Sequence, residues 1–231
     1  MIGGTACSLA FEVVGLPFRS TKDLDVVLCI ESCDESFAKI FWSFITQGKY
    51  EIQEHSSKRE FYRFKKPQDE KFPWMIELFS RVPDALNITS ESQLTPIPFD
   101  GDISSLSAII LDNSYYQWIK SGKSIISGVP IVVPEHLIPL KAKAWLDLRE
   151  RKHNGDTIDN KDIKKHKNDV FRLFNIVNPE FRAELQDSIK IDMDKFLLEI
   201  TKEEGNLKQF GLASFSVNDI IETLKKLYGL R

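Results

Sequence analysis

With 231 residues the chain has room for one large or two small domains and is long enough to bury a core. Hydrophobic residues at 42% and charged residues at 28% are ordinary for a globular protein, and a net charge of −3 excludes a global basic field that would gather nucleic acid, so any polyanion site must be a local patch. No apolar run approaches the roughly 18 residues of a membrane span, no signal peptide is present, and Cys7, Cys29 and Cys33 suit reduced thiols in the cytoplasm better than a disulfide frame or a zinc site.

Met1 and Ile2 alone precede a Gly3-Gly4 turn, so a lead-in strand or helix is either absent or lies in chain further upstream. Ala6 to Val14 is an apolar, helix-compatible run. After Arg19-Ser20-Thr21-Lys22, Asp23-Leu24-Asp25 opens the β-branched run Val26 to Ile30, which predicts a strand. Residues i and i+2 of a strand share a face, so Asp23 and Asp25 project side by side. Adjacent carboxylates repel, and a divalent cation is a common compensation; taken alone, Asp-x-Asp is more often a solvated strand end.

Phe37, Ile40, Phe41, Phe44 and Ile45 have helical spacing over Glu35 to Gly48, with Asp34 or Ser36 to cap the start and Gly48 to stop it. Tyr50 to Glu54 and Glu60 to Lys65 read as a strand pair, and Pro67 to Pro73 as a charged turn. Trp74 to Phe79 reads as an apolar strand with Glu77 in its middle. A carboxylate inside such a run either faces solvent on an edge strand or is paired or metal-bound. Together with Asp23 and Asp25, a metal triad becomes the better reading. Lys58-Arg59, Arg63, Lys65 and Lys66 form a basic cluster on this strand pair, interleaved with aromatics that core packing explains as well as base stacking does.

Residues 82 to 108 read as a long irregular connection and Ala108 to Leu111 as a short strand. Ser124 to Val133 reads as a hairpin that could supply the sheet's last strands. From Pro134 onward the period is helical: Leu137 to Arg151, Asn160 to Val177, Asp192 to Ile200, and Val217 to Tyr228 with a Ser216 start and a Gly229 stop. An α/β part followed by an all-helical part, divided near Pro134, is the organisation expected. Between Lys141 and Arg172 ten Lys or Arg stand against six Asp or Glu. This is either a solvated helix face with i, i+4 pairs such as Asp147 and Arg151, or a phosphate-facing patch, with Lys141 the favoured functional member.

The series Gly3-Gly4, Arg19-x-Thr21-x-Asp23-x-Asp25 entering a strand, and Glu77 inside a later one resembles the nucleotidyltransferase superfamily of DNA polymerase β-like fold. GGTACSLAF and RSTKDLDVVL look most like the bacterial AbiEii/AbiGii toxin-type group, and LKAKAWLDLRER (Leu140 to Arg151) and KHKNDVFRL (Lys165 to Leu173) resemble its later motifs. The resemblance implies an α+β fold, with a nucleotidyltransferase-like mixed sheet and flanking helices over 1–134 and a helical bundle over 135–231.

It further implies a transferase that moves a nucleotide from an NTP to an acceptor hydroxyl, on RNA (tRNA included) or protein. Asp23, Asp25 and Glu77 would be catalytic and metal-binding, with Mg²⁺ or Mn²⁺, two ions about 3.5–4 Å apart, as cofactor. Gly3, Gly4, Thr5, Arg19, Lys22, Lys141, Lys165 and Asp169 would contact the nucleotide, and a cognate antitoxin would be a partner. The alternatives are a small-molecule nucleotidyltransferase of the antibiotic-modifying type and a non-catalytic descendant that binds nucleotide or a partner protein.

Overall fold

The computed structural model describes residues 1–28, 35–52, 62–80, 112–202 and 206–231. Cys29, Cys33, Asp34, the Lys58-Arg59 pair, the connection over 82–108 and the Ala108 to Leu111 strand lie outside them. The described residues are α+β and divide into two units, Met1–Leu111 with Ile125–Ile131, and Asp112–Ser124 with Val132–Arg231. The division thus falls ahead of Pro134, because helix Asn113–Ser121 belongs with the second unit.

In the first unit, helix α1 (Gly3–Val13) leads to strand β1 (Asp23–Leu28), and α2 (Glu35–Gly48) leads to β2 (Glu51–Ile52), β3 (Tyr62–Lys65) and β4 (Met75–Ser80). The sheet order is β1-β4-β3-β2, with β1 parallel to β4 and the other two pairings antiparallel, so the sheet is mixed as expected. Strand alternation gives it two unlike faces. Ile76 and Phe64 are buried with Ile45 and Tyr50, and Leu24, Val26, Phe41 and Trp42 pack against them, so α2 covers one face with an aromatic core. The intervening positions Asp23, Asp25 and Glu77 belong to the other face. Ile40 was expected in that core; it is 68% exposed, and Phe44 turns its ring to Phe72 at 4.9 Å at the core's edge. The helix buries a narrower stripe than its apolar spacing predicts. Lys49, with φ 48°, takes the left-handed position after the helix that Gly48 was expected to mark.

Hairpin β5 (Lys123–Ile126) and β6 (Val129–Val132) forms a two-stranded sheet of its own rather than extending the larger one. Ser127 and Gly128, at φ 50° and 79°, make the tight turn.

The second unit holds helices α3 (Asn113–Ser121), α4 (Pro134–His153), α5 (Asn160–Phe174), α6 (Asp187–Ile200) and α7 (Val217–Leu227), with a 3-10 turn at Leu207–Phe210. Sequence reading missed α3, although Asp112 caps it by accepting from the Ser114 and Tyr115 N–H groups and Tyr115, Tyr116, Trp118 and Ile119 form its buried face. The Ser216 start of α7 is a full capping box with Asp219. Pro139 sits inside α4 and has no N–H for the Glu135 carbonyl four residues earlier. The Tyr228 hydroxyl donates to that carbonyl at 2.6 Å, closing the chain's end onto the helix and satisfying the group the proline orphans.

His136, one residue along, is stacked on Trp118 with centroids 4.1 Å apart, and its Nδ1 is buried without a hydrogen-bond partner among the described residues. Burial pushes its pKa from the ordinary 6.5 down to about 4. The unfolded chain takes up a proton near 6.5 that folded His136 refuses until about pH 4. Stability therefore falls as pH drops through that window and levels off below it, by about 3 kcal/mol at most. Urea unfolding followed by tryptophan fluorescence at pH 7 and pH 4.5 should show a steeper loss in the wild type than in His136→Gln. Equal losses would contradict a desolvated histidine.

Candidate active site

In the parallel pairing of β1 with β4, Asp25 stands directly opposite Glu77. Neighbouring strands lie about 4.8 Å apart and opposed residues share a face, so the register brings these two carboxylates side by side, with Asp23 two residues along the same face. Asp25 and Glu77 are each only 8% exposed, and Asp23 is half-buried. Glu77 is therefore buried on β4, an interior strand between β1 and β3, rather than presented on an open edge.

Gly3 is placed against one of these acids, Asp25, and Gly4 against Thr21 and Arg19. Gly3 begins α1 with φ 71°, a conformation L side chains rarely adopt, and a β-carbon there would collide with the Asp25 carboxylate. A β-carbon on Gly4 would come within 2.7 Å of Thr21 Oγ1 and 3.5 Å of the Arg19 guanidinium. The short lead-in is ordered onto the strand: the Ile2 N–H donates to the Asp25 carbonyl at 3.0 Å. Thr5 Oγ1 donates to the Asp23 carbonyl at 2.7 Å, which ties the first turn of α1 to the start of β1. Arg19 lies over the Phe18 ring, 5.2 Å from its centroid.

Beside the strand's start is a cavity of about 720 Å³ lined by Thr5, Thr21, Lys22, Asp23, Lys71 and Trp74, among others. Of these, Thr21 was given no role of its own by sequence reasoning, and Lys71 and Trp74 were not singled out. The signal was present: Thr21 sits in the Arg19-x-Thr21-x-Asp23 series, and Trp74 follows a proline immediately before a strand.

The donor chemistry at Asp23, Asp25 and Glu77 fits Mg²⁺, a hard cation that takes carboxylate oxygens. Mg²⁺ is commonly held by one or two carboxylates completed by substrate phosphates rather than by an all-protein cage. Among the described residues no group of three or more His, Cys, Asp or Glu side chains is close enough to enclose an ion.

In the second unit, Lys141 of α4 and Asp169 of α5 meet as an ion pair at 3.1 Å, with side chains 6% and 0% exposed. Arg172 also reaches Asp169, at 3.2 Å. Of the later motif residues the structure thus brings Lys141 and Asp169 together, while Lys165 lies half-buried one turn earlier on α5. Where Asp147 and Arg151 were expected to pair at i, i+4, Asp147 pairs with Lys143 at 3.2 Å and Arg151 with Asp156 at 2.8 Å. Lys143 also bridges to Asp192 of α6, at 3.2 Å, and so joins α4 to α6.

The chain matches no known family model, no curated protein and no solved structure. Among the described residues no helix is long and apolar enough to cross a membrane.

Gly3→Ala should cost about 1–3 kcal/mol, because the left-handed backbone and the Asp25 carboxylate both resist a methyl group; an unchanged urea midpoint would contradict the contact. Lys141→Met should cost roughly 1–3 kcal/mol, because it removes one cation from the buried Asp169 while Arg172 still reaches it, and adding Asp169→Leu should recover much of that loss. A double variant less stable than the single would contradict a buried pair of this kind.

Proposed function

We propose that the protein is a Mg²⁺-dependent nucleotidyltransferase of the toxin-like group, transferring a nucleoside monophosphate from an NTP to a hydroxyl of RNA or protein with release of pyrophosphate. The observation that carries this reading is the Asp25–Glu77 register, with Asp23 on the same face and Gly3 pressed against Asp25. A strand-borne carboxylate set beneath a glycine-started helix is what phosphate chemistry of this kind requires.

Asp23, Asp25 and Glu77 would hold Mg²⁺. When bound, it neutralises the triphosphate and lowers the pKa of the attacking hydroxyl. The absence of side chains at Gly3 and Gly4 lets α1 begin tight against Asp25 and Thr21, and the N–H groups of the helix's first turn would be the ones to meet a phosphate. Thr5, through its bond to the Asp23 carbonyl, holds that helix start in place relative to the acids. Lys22 and Lys71 line the adjoining cavity and would draw a polyanion toward Asp23. A volume of about 720 Å³ is in the range that encloses a nucleotide-sized ligand. Lys141, Lys165 and Asp169 enter this reading through the motif resemblance, and the Lys141–Asp169 pair also has a structural role in joining two helices.

A second reading is nucleotide binding by the same face without transfer. Calorimetric titration with the four NTPs in Mg²⁺ tests both. The transferase reading expects saturable, Mg²⁺-dependent binding that Asp25→Ala weakens by at least about tenfold, roughly 1.4 kcal/mol, without loss of fold. It also expects label from the bound NTP to appear on RNA or protein. Binding without such transfer would support the second reading, and no binding in Mg²⁺ or Mn²⁺ would overturn both.

A further inference from the structure

A separate feature lies within the second unit. The last turns of α4 and the first turns of α5 enclose an open cleft of about 400 Å³, lined by Trp145, Arg149, Lys152 and His153 from one helix and Asn160, Ile163 and Lys164 from the other. Residues 145, 149 and 152 recur at helical spacing along one face of α4, and 160, 163 and 164 do the same on α5. Three permanent cations and a histidine therefore converge from two helices, and among the described residues no carboxylate lines the cleft.

The cations are poorly neutralised from within. Lys152 Nζ is held by two neutral oxygens, Asn160 Oδ1 at 2.7 Å and the Ile158 carbonyl at 3.2 Å. Lys164 makes no ion pair among the described residues and is exposed. Arg149 is the one lining cation with an acid, Glu199 at 3.3 Å, and Glu199 is shared with Lys202 at 2.7 Å. The Arg149 guanidinium is also fixed in place, 4.2 Å from the centroid of the buried Trp145 ring. A guanidinium held over an aromatic ring, with two ammonium groups lining the same cleft, is an arrangement that recognises phosphate oxygens.

We propose that this cleft is a phosphate-binding site, taking a mono- or diester phosphate group, distinct from the carboxylate face of the first unit. The group can come from a free phosphate compound or from a nucleic-acid backbone, and the shared chemistry is an oxyanion accepting from Arg149, Lys152 and Lys164. The site does not depend on nucleotidyl transfer, and its ligand needs no metal.

Titrations of the full chain with inorganic pyrophosphate and with a short single-stranded oligonucleotide, both in EDTA at low salt, test it. Saturable binding is expected, weakening as salt rises. Lys164→Glu, at an exposed position with no ion pair to lose, should weaken it by about tenfold, as loss of a charge-assisted contact does. Asp25→Ala should leave it unchanged, which separates this site from the proposed active site. Tighter binding of the oligonucleotide than of pyrophosphate, lost in Lys164→Glu, would assign the phosphate to a nucleic-acid backbone. Binding of pyrophosphate alone, lost in the same variant, would assign it to a free compound. Affinities equal in wild type and Lys164→Glu, or no binding of either probe, would overturn the proposal.

Discussion

The structure of the first unit depends on the parallel pairing of β1 with β4. That one register decides that Asp25 opposes Glu77, that Asp23 lies on the same face, and that Leu24, Val26 and Ile76 go to the aromatic core beneath α2. A slip of one residue would exchange the two sets, sending acids into the core and apolar residues to the polar face. The burial of Ile76, Phe64 and Ile45 therefore holds the carboxylates together although their charges repel. Gly3 completes the arrangement, because only a residue without a side chain lets α1 begin against the Asp25 carboxylate.

The second unit is held by polar contacts embedded in an apolar bundle. Lys141 and Asp169 join α4 to α5, Lys143 joins α4 to Asp192 of α6, and Tyr228 secures the carbonyl that Pro139 leaves open. Buried pairs of this sort specify which helix faces meet, because any other packing strands a charge in a low dielectric. Toward the far end of α4 the chemistry changes: Arg149, Lys152 and Lys164 have little opposing charge, and there the helices form an open cleft instead of a closed contact.

Strand alternation made the shared face of Asp23 and Asp25 legible from sequence, and the oddity of an acid in an apolar run marked Glu77. Their apposition was not legible, because strand order is set by core packing across segments far apart in the chain. The helical half was readable in outline from its period and caps, yet α3 was missed because its buried face is mostly Tyr and Trp, with Ile119 the one aliphatic, in a short segment otherwise polar. The pairing of Lys141 with Asp169 was hidden for a different reason: each residue is polar in sequence, and only the packing of α4 on α5 makes both of them buried. The hairpin's independence from the larger sheet is likewise a tertiary fact, since its own sequence specifies the turn at Ser127-Gly128 and nothing about its neighbours.

Under the proposed function, the Asp25–Glu77 pair would hold a divalent ion together with a nucleoside triphosphate. Electron paramagnetic resonance of Mn²⁺ titrated with a non-hydrolysable NTP analogue, for wild type and Glu77→Gln, tests it most directly. The account expects a bound Mn²⁺ signal that requires the analogue and is lost in the variant while the fold is kept. A signal of equal strength in both proteins, or none in either, would contradict it.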